Sequence, residues 1–169
     1  MKKMLLSVLL GLTFQTQAGL VAEVGSFLNT LQGETLYFDG KVQGTDANCR
    51  VLLKEYQTGS IMFEIDVEDQ DSVLGSDFEG SYCGSGSTMC LWLFDNDKTK
   101  FSSDDLEISG DQLEAKFKTS TMNFGLKTPF EILATKSSAG ELSSLTLKTN
   151  RLLLSNESVT CENLVQFEK

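Results

Sequence analysis

An all-β domain, an antiparallel meander closed as a small barrel with one short N-terminal helix, is the fold class this sequence predicts. Apolar and polar residues alternate with a period of two beyond residue 34, turn residues recur at short intervals, and four cysteines stand in a chain that carries an export signal. Many short strands with turn chemistry between them describe a barrel or, as the alternative, a β-sandwich.

The N-terminus comes first. Met1, Lys2 and Lys3 supply a short positive region, and an uncharged, mostly apolar run follows from Met4 to Phe14. Thr16 and Ala18 are small enough for the −3 and −1 pockets of a signal peptidase, so residues 1–18 read as a signal peptide cleaved before Gly19. A membrane-spanning helix needs about 20 apolar residues, and this run is about half of that. No Cys follows the cleavage site, so a lipid anchor has no attachment residue. Residues 19–169 then form a single β domain, expected to be soluble and periplasmic or secreted, with no membrane span.

Val24, Phe27, Leu28 and Leu31 fall at i, i+3, i+4 and i+7 ahead of Gly33, which predicts a helix over residues 21–32 that packs on the sheet or covers an open end. Strands follow. Ile61, Phe63, Ile65 and Val67 share one face of the run 60–67, and Leu113, Ala115 and Phe117 share one face of 112–118, each with polar residues opposite. Further strands are expected at 35–39, 49–56, 72–82, 88–95, 105–109, 130–135, 142–148, 151–155 and 159–167. Gly110-Asp111 between two alternating runs signals a tight hairpin, and Lys136 to Gly140 reads as a polar loop between strands. Pro129 opens a strand, where its missing N–H does least harm. Strands of this length fall short of the roughly 9–11 residues that an outer-membrane barrel requires.

An even number of cysteines in an exported chain implies bridges. Cys83 and Cys90 flank a Gly- and Ser-rich turn and are expected to pair with each other, leaving Cys49 to pair with Cys161. Their spacing is not a zinc pattern.

Composition excludes several kinds of function. Acidic residues number 24 against 14 basic ones, giving a formal charge of −10 that grows more negative when Lys2 and Lys3 leave. Such a surface repels phosphate backbones, so no nucleic acid is expected as a partner. Histidine is absent from the sequence, which removes Ser-His-Asp and Cys-His nucleophile systems and the common zinc and haem sites. A carboxylate pair for hydrolysis would need one acid partly buried to raise its pKa, and the alternation places the acids on wet faces.

Two acidic clusters resemble calcium loops without completing one. Asp95-Asn96-Asp97 is followed by Lys100 where the turn needs Gly and by Leu106 where a bidentate Glu belongs. Asp66, Glu68, Asp69 and Asp71 contain no turn glycine. The glycine-rich stretch from Gly80 to Ser87 lacks the Lys and the following helix of a phosphate loop. Trp92 and Phe94 share a face with Cys90, while Leu91 and Leu93 take the other, so this strand is apolar on both sides and marks either a central core strand or one wall of a ligand pocket.

Gly80-Ser81-Tyr82 is similar to a fragment of the Ser-Gly-x-x-Tyr loop of periplasmic lysozyme inhibitors, and the small disulfide-bonded β architecture resembles theirs. The resemblance implies an acidic inhibitor of a cationic enzyme. The residues themselves predict a non-enzymatic binding module, without cofactor, for a small ligand or a protein, with a structural envelope protein as a further reading. The mature protein is expected to begin at Gly19 and to expose no alkylatable thiol until it is reduced. Intact-mass spectrometry before and after reduction reads both.

Overall fold

The computed structural model describes residues 19–57, 59–68, 89–94, 99–100, 106–120, 127–149 and 157–168. Helix α1 (Leu20–Leu28) precedes ten strands: β1 (Thr35–Val42), β2 (Asn48–Tyr56), β3 (Ser60–Val67), β4 (Met89–Phe94), β5 (Thr99–Lys100), β6 (Leu106–Ser109), β7 (Gln112–Ser120), β8 (Lys127–Lys136), β9 (Leu142–Thr149) and β10 (Glu157–Phe167). The expected strands at 72–82 and 151–155 lie outside the described residues.

All ten strands belong to one antiparallel sheet in the order β4-β3-β2-β1-β10-β9-β8-β7-β5, with β6 also paired to β7. The first and last strands are therefore neighbours in the middle, and two wings extend from them. The sheet is an open, strongly curled half-barrel, which corrects the expectation of a closed barrel and equally that of a two-sheet sandwich. Closure requires a full ladder between the two outermost strands. Here those are β4 with six residues on one wing, and β5 with two and β6 with four on the other.

The curl is concentrated at β1. Asp39 pairs with Val165 and Lys41 with Glu162, so Asn163 and Leu164 of β10 stand against the single residue Gly40. Asn163 adopts φ 56°, the left-handed conformation that begins a bulge and that Asn tolerates better than most residues. A side chain at Gly40 would meet the Glu162 carbonyl oxygen at 2.7 Å and Leu164 Cδ2 at 2.8 Å. Strands two apart in a flat sheet lie about 9.5 Å from each other. Cys49 on β2 and Cys161 on β10, on either side of β1, have their Cα atoms 6.1 Å apart and are joined by a disulfide. The sheet is folded at this crease, and the bridge ties its two wings together.

Inward-pointing residues of both wings merge into one core. Val51, Leu53, Ile61, Phe63, Ile65, Leu91 and Leu93 come from the first wing, and Leu113, Ala115, Ile132, Ala134, Leu145 and Leu147 from the second. The alternation read for 60–67 and 112–118 places these inner faces correctly. Pro129 does not open its strand as expected: pairing with β7 carries β8 back to Lys127, so Pro129 is its third residue, opposite Lys118, one residue beyond the last β8–β9 pair, Phe130 with Thr149.

Helix α1 contributes Val21, Val24, Phe27 and Leu28 to the core. It stops earlier than expected. Asn29 takes φ 59° and its N–H bonds back to the helix, as does Thr30 N–H to the Gly25 carbonyl, so the residues up to 32 leave the helical path and Leu31 is 58% exposed. The segment is then fastened to β2: Thr30 Oγ1 donates to Glu55 Oε2 at 2.6 Å and Gly33 N–H to the Glu55 carbonyl at 2.8 Å. On the other wing, Lys136 Nζ stands 4.8 Å from the centre of the Phe27 ring. The helix thus touches both wings of the curl.

The outer faces differ. On the second wing they are polar, with Lys148 opposite Glu131 at 3.4 Å and Thr146 bonded to Thr160 at 2.9 Å. On the first wing β3 is buried on both faces, and Met62, Glu64 and Asp66 are covered. This corrects the expectation that Glu64 and Asp66 lie on a wet face. Cys90, two residues from Trp92 on the same side of neighbouring β4, is itself disulfide-bonded.

Replacing Gly40 by alanine is expected to lower stability by about 1–3 kcal/mol, because the new methyl meets backbone and must distort the crease. Removing the bridge as Cys49→Ala with Cys161→Ala is expected to cost more, up to about 5 kcal/mol for a loop of this length. Urea denaturation of the two variants beside the parent measures both.

Candidate functional site

The predicted site residues fall in three places. Cys49 and Cys161 are bonded at the crease, and Cys90 is disulfide-bonded on β4. Cys83, to which the sequence assigns Cys90, lies outside the described residues. So do Asp69, Asp71, the Asp95–Asn96–Asp97 cluster and the glycine-rich stretch from Gly80 to Ser87. Among the described residues no group of three His, Cys, Asp or Glu side chains is arranged to hold a metal ion.

Trp92 does not face the inner trough. Its strand neighbours Leu91 and Leu93 do, and Trp92 sits on the outer face opposite Met62. Its indole stacks on Tyr56 with 5.0 Å between ring centroids, and Lys54 Nζ stands 5.2 Å from the Tyr56 ring. Phe94 pairs in register with Ser60. Trp92, expected to wall an interior pocket, therefore belongs to β4's outer side, because strand alternation sends Leu91 and Leu93 into the core.

Among the described residues the trough is closely packed. Val24, Val51, Leu53, Ile61, Phe63, Ile65, Leu93, Ile132, Leu145 and Leu147 are each 0% exposed. A void wide enough for water would leave accessible surface on its walls. Apolar side chains pack where a ligand-carrying barrel keeps its cavity.

A cleft does open beside the crease. It has a volume of about 320 Å3 and is lined by Asp39, Gly40, Asn48, Cys49, Arg50 and Glu68. Its walls follow from strand register. Arg50 on β2 lies between Asp39 on β1 and Asp66 on β3. Arg50 Nε donates to Asp39 Oδ1 at 2.8 Å, and the guanidinium lies 4.9 Å from the centre of the Phe167 ring. Phe167 in turn meets Tyr37, its β1 partner, at 5.7 Å. Across the cleft, Asn48 Nδ2 donates to Glu68 Oε2, and Lys41 Nζ donates to Asn48 Oδ1 at 2.6 Å. The side chains are mutually braced, and only 20% of the Arg50 side chain is exposed, against 57% for Asp39.

Sequence reading missed this cleft. It singled out Glu68 and Asp66 only as parts of an acidic run, and did not consider Asp39, Asn48 or Arg50. The signal available was Arg50 itself, a cation between Cys49 and the apolar run Val51-Leu52-Leu53. Its significance depends on neighbours from β1, β3 and β10 that only pairing supplies.

Comparison with protein-family models, curated proteins and solved structures finds no match to this chain. No helix among the described residues is long and apolar enough to cross a membrane.

Because Arg50 is stacked as well as paired, Arg50→Ala is expected to destabilise the fold by about 1–2 kcal/mol. Lys41→Ala, whose partner atoms are exposed, is expected to cost less than about 0.5 kcal/mol. Chemical denaturation midpoints discriminate the two.

Proposed function

We propose that this chain is a non-catalytic binding protein of the periplasm or secreted space, and that its partner is a basic protein held on the outer surface. The observation that carries the reading is the closely packed trough. A small-ligand carrier needs a largely apolar pocket of about 300–1,000 Å3, whereas among the described residues ten inner side chains, Phe63, Ile65 and Leu93 among them, are each 0% exposed. Recognition then falls to the outside, where the chain carries a formal charge of −10. A surface of that sign steers cationic partners and repels anionic ones. The apolar leader and the bonded state of Cys49, Cys161 and Cys90 support an oxidising, exported location. The missing histidine and the bracing of the cleft's polar groups against one another support the absence of catalysis.

Native mass spectrometry of the purified mature protein is expected to show no retained small molecule. Titration with a lysozyme, as a representative basic enzyme, is expected to show micromolar association that weakens steadily as salt is raised through the range where charge pairs are screened. A stoichiometric copurifying apolar ligand, or no association at low salt, overturns the proposal.

A further inference from the structure

We infer that the crease cleft receives an Arg or Lys side chain of the partner, and that Val165, Phe167 and Tyr37 form the apolar contact beside it. This deepens the protein-binding reading above and rests on it.

Four observations converge on a basic side chain. The first is the balance of donors and acceptors. Asp39 has one carboxylate oxygen engaged by Arg50 and Glu68 has one engaged by Asn48, while the second oxygen of each meets no donor among the described residues. Both carboxylates line the same cleft. The second is that the donors present are already directed inward. Arg50 Nε points to Asp39 and its guanidinium lies against Phe167, while Lys41 is held by Asn48 Oδ1 and the Asp46 carbonyl. The cleft therefore offers acceptors to an incoming cation and little to an anion. The third is size: about 320 Å3 is at the lower limit of ligand pockets, room for a single long side chain.

The fourth concerns the surroundings. Val165 is 67% exposed, more than Leu31 or Ile108, the other exposed large hydrophobics among the described residues. It is the register partner of Asp39, so an apolar side chain stands next to the carboxylate that lines the cleft. Two pairs further along, Phe167 and Tyr37 are partners on the same face. Aromatic and Arg side chains around a partly desolvated charged pocket are the composition of a binding hot spot. A partner that places Arg or Lys next to an apolar residue would satisfy both halves of this surface.

The test uses the full mature protein and a pair of peptides, acetyl-Val-Arg-Val-amide and its neutral citrulline counterpart, followed by amide chemical shifts. The arginine peptide is expected to move the signals of Gly40, Asn48, Cys49 and Glu68 and the citrulline peptide to leave them in place. Asp39→Asn and Glu68→Gln are each expected to weaken the arginine peptide on the order of tenfold. Val165→Lys, at an exposed position that leaves the core intact, is expected to weaken it similarly, and Ile108→Lys, on distant β6, to change nothing. Equal binding of the two peptides, or unchanged binding in both Glu68→Gln and Val165→Lys, overturns the inference. Undiminished association of the Glu68→Gln and Val165→Lys proteins with the basic enzyme overturns the assignment of the cleft while the protein-binding reading stands. Failure of the unmodified protein to bind any basic enzyme removes that reading itself.

Discussion

The fold turns on a single crease. The first and last strands pair beside one another, and at Gly40 the sheet bends far enough to bring β2 and β10, which flank β1, to within disulfide reach. Three features have to coincide there. Gly40 leaves space for the Glu162 carbonyl and Leu164, Asn163 supplies the left-handed residue of the bulge, and Cys49 with Cys161 pins the result across 112 residues of chain. Ordering the ends of so long a segment is an entropic cost that neighbouring-strand contacts alone must otherwise meet. With the crease in place, both wings turn their apolar faces toward one another and a single sheet can bury its own core.

That arrangement decides where recognition can occur. α1 reaches from β2 to Lys136 on β8, and among the described residues the inner side chains of both wings pack into one core beneath it. The same bend that closes the inside opens the outside. Where β1 is bent between β2 and β10, Asp39, Gly40, Asn48 and Arg50 line an outer cleft that Glu68 completes. The cleft is thus a by-product of the crease, held in shape by an ion pair, an amide bridge and a guanidinium resting on an aromatic ring. Rigid elements on three strands position it, which is the condition for a preorganised contact.

Much of the pleat was readable one segment at a time. The strand 60–67 and the alternation in 112–118 were visible because a half-buried strand repeats every two residues, and the buried stripe Val24, Phe27, Leu28 because a helix repeats every 3.6. Local reading failed where a second segment intervened. Gly33 looked like the helix stop, yet Asn29 ends it first, because the following residues are drawn to Glu55 on β2. Glu64 and Asp66 looked solvated, yet the outer side of β3 is covered.

Taken alone, the sequence determined the all-β class, which side chains of most strands face the core, the acidic composition and the absence of histidine. These are properties of neighbouring residues or of composition. Tertiary structure decided that the sheet stays open, that Trp92 faces outward, and that Asp39, Arg50, Glu68 and Phe167 meet at one place. Those outcomes depend on register and curvature, which are set by pairs of residues far apart in the chain, and no periodicity within a single strand encodes them.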